Sequence, residues 1–189
     1  MKGILFGLLS MAVIAGCRQQ ETGLAKIEAD ELNSGRKIDT LFMGLRLGMT
    51  RKDFFDRCLE LNQAHLFTMG AGGNFVQYGI DSAMKAPATM KFYPAFEDDH
   101  IRSMDAYFYY NAWAPWNQEL AIDTLQQDVM RLLTKWYGGR SFVQSPAKNA
   151  LGQYSYMKID GNRRMLVSIH NEYQVKVYFE NFSDSQKAQ

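Results

Sequence analysis

The residues that most often carry chemistry are few in this chain of 189 residues, and they are widely separated. The three histidines, His65, His100 and His170, are isolated from one another, so only the fold could gather them into a metal site. Cys58 could form a nucleophilic pair with a distant histidine, but its place on a helical apolar face favours a core thiol. The sequence contains no GxSxG, Walker, HExxH or CxxC motif. The sequence therefore predicts no catalytic residue, no metal site and no cofactor.

Aromatic side chains are concentrated between residues 107 and 116, in the sequence YFYYNAWAPW. On a strand that begins near residue 101, alternation places Tyr107 and Tyr109 on one face beside Asp105. One interpretation is a central strand that is covered on both sides, with the two tryptophans packed under a helix. The other is a partly exposed aromatic surface for a glycan, a peptide or a partner protein. The candidate binding residues are Tyr107, Tyr109, Trp113 and Trp116.

The first twenty residues have the pattern of a targeting signal. Lys2 precedes an apolar stretch over residues 3–16 that is too short to span a bilayer comfortably but fits the core of a signal peptide. It ends in Ile14-Ala15-Gly16-Cys17, which resembles the lipobox of bacterial lipoproteins. The resemblance implies cleavage before Cys17 and acylation of that residue, so we predict a signal peptide over residues 1–16. Acyl chains on Cys17 would anchor the protein to a membrane.

The residue after the predicted lipid site bears on localisation. Arg18 stands where an aspartate marks inner-membrane retention in lipoproteins of enteric bacteria, so the resemblance implies the outer membrane, facing the periplasm. With Cys17 acylated, Cys58 is the one remaining thiol, and we expect it to be buried because an exposed thiol is a liability in an oxidising compartment.

Composition limits the classes of function. Apolar residues make up 47% of the chain and charged residues 22%, which is typical of a globular domain. The formal net charge is only +1, so there is no basic surplus to bind a phosphate backbone. Nucleic acid is therefore not an expected partner.

The pattern of apolar residues predicts an α+β fold with an antiparallel sheet and two helices. We predict helices over residues 51–62 and 118–137, with Phe54, Phe55, Cys58, Leu59 and Leu61 as the apolar face of the first helix. Strands are predicted over 75–80, 89–93, 101–111, 153–159, 165–170 and 173–182, which gives two helix-β-β-β halves. The domain boundaries follow as a lipidated tether over 17–37, one domain over 38–183 with possible halves 38–112 and 113–183, and a flexible tail over 184–189.

The entry into the first helix, Gly44-Leu45-Arg46-Leu47-Gly48-Met49-Thr50-Arg51-Lys52-Asp53, resembles that of small envelope lipoproteins of the outer-membrane assembly and β-lactamase-inhibitor type. The helix exit Lys135-Trp136-Tyr137-Gly138 is similar to the exit in those units. The lipobox, the lack of a catalytic motif and the aromatic segment together favour a non-enzymatic envelope lipoprotein that binds a protein or cell-wall partner. The alternative is a periplasmic enzyme whose active site is assembled only in the fold, with Asp105 as the first candidate for a catalytic carboxylate.

Overall fold

A computed structural model describes residues 23–70, 73–149 and 152–185 of the chain. The predicted signal peptide and Cys17 lie outside the described residues, as do residues 186–189 of the predicted tail. In the described part, none of the helices is long and apolar enough to cross a membrane.

The first described element is a helix over residues 23–33, here α1. It lies in the segment predicted to be a tether with little structure, but its residue Glu31 is buried and pairs with Arg140 at 2.7 Å. Glu28 of the same helix lies 3.7 Å from Arg164. The prediction of a tether was therefore wrong for residues 23–33, because these acidic side chains have partners in the second half of the chain.

Helix α2 (Arg51–Gln63) begins as the sequence predicts, with the side chain of Thr50 accepting a hydrogen bond from the backbone of Asp53 at 3.1 Å. Its predicted apolar face was partly wrong. Phe54 and Leu61 are buried, whereas Phe55 is 48% exposed and Leu59 is 58% exposed. The two exposed residues lie one position away from the buried stripe, and the neighbouring strand is too short to cover them.

Strands β1 (Phe67–Met69), β2 (Val76–Ile80), β3 (Ala88–Glu97) and β4 (His100–Tyr110) follow α2. The hairpin between β3 and β4 turns at Asp98 and Asp99, which both have positive φ, as a two-residue hairpin turn of type I′ requires. Pro94 is tolerated within β3 because β2 pairs only with residues 88–92, so no ladder bond is needed from it on that side.

Helix α3 (Ile122–Tyr137) follows one turn of 3₁₀ helix at Gln118–Leu120. The helical spacing of Leu125, Val129, Leu132, Leu133 and Trp136 predicts a single apolar stripe. The first four are buried against β4, β7 and β8, as that spacing predicts, and Trp136 is half-buried. The helix ends at Gly138, whose φ of 58° suits a residue without a side chain.

Four more strands complete the chain: β5 (Val143–Lys148), β6 (Tyr154–Asp160), β7 (Arg163–Ile169) and β8 (Val175–Asn181). Helix α4 (Phe182–Ser185) is a single turn after β8. Each long helix is thus followed by four strands instead of the predicted three. The additional strands, β1 and β5, are short or irregular edge strands that carry little apolar alternation.

All eight strands form one antiparallel sheet with the order β1-β2-β3-β4-β8-β7-β6-β5. The α+β class and the antiparallel sheet are therefore as the sequence predicts. Strands β4 and β8 meet at the centre, with Ala106 opposite Val177. The inner face packs against α3 and the loop over residues 38–49, whose apolar side chains are buried in the same core. The opposite side, here the outer face, carries the polar and tyrosine side chains of β3, β4 and β8.

Candidate functional site

The outer face carries two rows of side chains that run across β3, β4 and β8. In the first row, Lys91 lies opposite Tyr107, which in turn lies opposite Lys176. In the second row, Asp105 lies between two tyrosines: Tyr93 and Tyr178. The rows exist because alternation points these residues away from the core and because the β4–β8 pairing joins the two halves of the chain.

The acidic residue at the centre of these rows is neutralised by a neighbour. Asp105 Oδ1 lies 2.8 Å from Lys176 Nζ, and both side chains are partly exposed. Partial burial lowers the pKa of Lys176, but the hydrogen bond and charge of Asp105 outweigh it, so the net pKa is raised. Lys176 therefore stays charged at neutral pH, and the pair contributes no net charge to the face.

Lys91 has a different environment from Lys176. Its ammonium group lies 4.8 Å from the ring centre of Phe75 and 4.9 Å from that of Tyr109. It forms no ion pair with the residues that the structure describes. Lys91 is therefore a cation held between two aromatic rings, and no carboxylate of the described residues balances its positive charge.

A groove of about 550 Å³ lies along this part of the outer face. We call it the tyrosine groove; its polar and aromatic lining includes Phe75, Lys91, Tyr93, Asp105, Tyr107 and His170. The ring of His170 meets that of Tyr107 edge to face, with 5.0 Å between ring centres. The groove thus combines stacking surfaces with one unbalanced cation, which suits recognition of a ligand that has both an apolar and an anionic part.

A second groove of about 410 Å³, here the α2 groove, lies between α2 and the strands β1 and β2. Its lining is mostly apolar and includes Phe55, Cys58, Leu59 and Met69. Phe75 and Tyr93 line both grooves, so they form the wall where the two meet. Met69 is 76% exposed, and an exposed apolar cluster of this kind is typical of an interaction surface.

The four candidate residues from the aromatic segment are not gathered in one place. Tyr107 lines the tyrosine groove, and Tyr109 lies beside it under Lys91. Trp113 packs on Tyr173 at 5.4 Å between ring centres. The expectation that some of the four remain exposed is confirmed, because Trp116 is 83% exposed and the others are half-buried. The interpretation in which both tryptophans pack under the long helix was wrong for Trp116.

The lone thiol of the described chain is less protected than the sequence suggested. Cys58 is half-buried instead of buried, and it lines the α2 groove. Burial raises its pKa from 9.0 to about 11, so it is a neutral thiol at physiological pH. This environment does not activate a nucleophile.

The three histidines lie in separate places: His65 after α2, His100 at the start of β4 and His170 in the tyrosine groove. Within the described ranges, no group of three or more His, Cys, Asp or Glu side chains is arranged to hold a metal ion.

Sequence reasoning missed Lys91, Tyr93, Phe75 and Lys176. Alternation within β3 and β8 could have placed three of them on a polar face, but no local signal pairs β4 with β8. The chain matches no protein-family model, and neither curated proteins nor solved structures gave a match.

Proposed function

We propose that this protein is a bacterial envelope lipoprotein that binds a partner through the tyrosine groove. The carrying observation is the groove itself, where Tyr93 and Tyr107 offer ring surfaces beside the unbalanced charge of Lys91. Tyrosines suit such a surface because each offers a large contact area and a hydroxyl group at little entropic cost. The alternation of stacking and charged groups supports recognition of another molecule.

The groove chemistry favours binding over catalysis. A hydrolytic acid-base pair needs two groups with separated pKa values near the substrate. Asp105 is paired with Lys176 at 2.8 Å, and in the described chain it is the one carboxylate that lines the groove. The ion pair leaves Asp105 as a fixed polar contact, which is the role of a binding residue.

The proposal also includes the anchor and the arrangement of the domain. The lipobox at Ile14-Ala15-Gly16-Cys17 supports a lipid on Cys17 and a location in the outer membrane, facing the periplasm. The element order, in which α2 and α3 each precede four strands, supports two similar halves that meet at β4 and β8. Such a domain would present its groove to a protein or cell-wall partner in the envelope.

Photo-crosslinking in cells tests the binding role. A benzophenone amino acid at Tyr107 or Tyr178 on the outer face should capture a defined partner, whereas the same probe at exposed Tyr154 or Trp116 should not. The purified partner should then bind Tyr107→Ala much more weakly than Trp116→Ala. Equal capture at all four positions, or unchanged binding by Tyr107→Ala, would contradict the proposal.

The anchor is tested separately. Wild-type protein should incorporate labelled palmitate and enter the detergent phase on partitioning, and Cys17→Ser should do neither. Wild-type protein that stays unlabelled in the aqueous phase would contradict the lipoprotein assignment. That result would not bear on the binding role of the groove.

A further inference from the structure

We propose that the occupant of the two joined grooves is a protein segment that carries an acidic side chain next to a bulky apolar side chain. The acidic side chain binds Lys91 in the tyrosine groove, and the apolar side chain enters the α2 groove across the wall formed by Phe75 and Tyr93. This inference rests on the proposed binding function and specifies the chemistry of the partner.

The charge of the tyrosine groove favours an anionic ligand. Asp105, which lines the groove, is neutralised at 2.8 Å by the adjacent Lys176, and among the described residues no carboxylate pairs with the ammonium of Lys91. The two rings around Lys91 shield it from part of its water and fix its position. A carboxylate that reaches this ammonium would gain a charge-assisted hydrogen bond in a setting that is drier than bulk water.

The α2 groove supplies the apolar part of the site. Phe55, Leu59 and Met69 are each about half exposed or more, although they line one concave surface. The groove adjoins the tyrosine groove at the Phe75 ring, so a ligand that fills both must present an apolar group and an anionic group side by side. The charge of the neighbouring Asp56 is already paired with Lys52.

The β1 edge of the sheet, at Met69, favours a peptide over a glycan as the occupant. The backbone N–H of Gly70 donates to Phe75 at 3.0 Å, so Gly70 faces β2 and the adjacent Met69 points its backbone groups away from β2. The carbonyl of Phe67, which points outward for the same reason, accepts a hydrogen bond from Asn62 Nδ2 at 2.9 Å. The backbone groups of Met69 therefore lie at the outer edge beside the α2 groove, where an extended peptide can add to them as a strand.

A display library of random linear peptides tests the inference on the full-length protein purified in detergent. The expected consensus has Asp or Glu beside Leu, Phe or Trp. Selection on Lys91→Glu should replace the acidic position with Lys or Arg, because the variant inverts the charge that the acidic side chain is expected to bind. Lys148→Glu is a matched control, since Lys148 also lies over an aromatic ring, 5.2 Å from the ring centre of Tyr154, but outside both grooves.

The binding constants of one selected peptide give the second readout. Lys91→Gln should weaken binding by about tenfold and remove most of its salt dependence. Leu59→Lys should weaken binding while leaving the salt dependence in place. Equal urea midpoints for the variants and the wild type would establish that each variant is folded.

The outcomes separate this inference from the proposed function. Selected peptides without an acidic residue, or an unchanged consensus on Lys91→Glu, would overturn the inference while leaving groove binding intact. In another outcome, the library yields no peptide while cell-wall fragments bind in a Tyr107-dependent way. That result would overturn the inference of a peptide and indicate a glycan. If neither peptides nor outer-face crosslinks are found, the proposed function fails as well.

Discussion

The guanidinium carbon of Arg163 lies 4.0 Å from the ring centre of Tyr137, and both residues belong to the buried junction between α3 and the β6–β7 hairpin. Arg163 also donates to the backbone oxygen of Thr40 at 2.6 Å and to Asp160 at 3.2 Å. This one side chain thus joins the end of α3, the hairpin and the loop that precedes α2. The contact links the two halves of the chain on the side of the sheet opposite the tyrosine groove.

Replacing Arg163 should be far more damaging than trimming Tyr137. Arg163→Ala removes one of two cations from the buried carboxylate of Asp160, which keeps Lys158 at 3.3 Å. We expect the lost charge-assisted hydrogen bonds to lower the free energy of unfolding by about 2–3 kcal/mol. Burial raises the pKa of Tyr137, and in the described chain its hydroxyl has no hydrogen-bond partner. Tyr137→Phe should therefore be neutral or slightly stabilising. Urea unfolding of both variants checks this, and a comparable loss in the two would contradict it.

Glu31 should make the docking of α1 sensitive to acid. Burial raises the pKa of Glu31, but hydrogen bonds from the Gly161 backbone, Arg36 and Arg140 outweigh it and hold the pKa below 4.5. A lowered carboxyl pKa gives stability that is present above pH 4.5 and is lost as the pH falls through the folded-state pKa.

Glu31→Gln should lower the free energy of unfolding by about 1–3 kcal/mol at neutral pH, and the deficit should shrink in acid. Urea unfolding across this pH range measures both effects, and proteolysis in α1 reports its release. Glu28→Gln is the control, because Glu28 lies 3.7 Å from Arg164 and should contribute less. A deficit for Glu31→Gln that does not change with pH would contradict the assignment.

Cys58 should react slowly with thiol reagents at neutral pH. A pKa raised from 9.0 to about 11 lowers its thiolate fraction about a hundredfold. In a Cys17→Ser background, native alkylation should be slower than in urea by about that factor and should accelerate until about pH 11.

The same shift predicts a loss of stability in alkali. Because the folded state disfavours the thiolate, the stability linked to Cys58 is present below pH 9.0 and is lost as the pH rises to about 11. Cys58→Ala should remove this component of the pH profile. Native labelling as fast as in urea would show that the thiol is open to solvent and not desolvated.

The absence of a side chain at Gly70 should determine where the Phe75 ring lies in the wall between the two grooves. A Cβ at Gly70 would lie 1.9 Å from Phe75 Cε2, so Gly70→Ala must displace that ring from beside Lys91. We expect a loss of about 1–3 kcal/mol in the free energy of unfolding from overpacking, together with weaker binding of a peptide selected on the wild type. Gly79→Ala is the control, since nothing lies within 4 Å of its added Cβ. Equal behaviour of the two variants would show that the Phe75 ring has no fixed position.

The α2 helix shows which features the local sequence predicts and which it does not. The capping by Thr50 and the helix bounds follow from local sequence, because a helix start depends on residues within one turn. The burial of Phe54 but not of Phe55 or Leu59 does not follow, since it depends on which element lies beside the helix. The three-residue β1 leaves part of the helix surface uncovered, and nothing in the helix sequence encodes the length of that strand.

The sequence by itself determined the α+β class, the stripe of α3 and the separation of Tyr107 and Tyr109 from the core face of β4, because each depends on spacing within one element. The tertiary structure alone decided that β4 pairs with β8, which places Lys176 beside Asp105 and leaves Lys91 without a carboxylate partner among the described residues. Register between distant strands arises from the packing of the whole core, so no local pattern specifies it. The candidate site therefore depends on the register between β4 and β8.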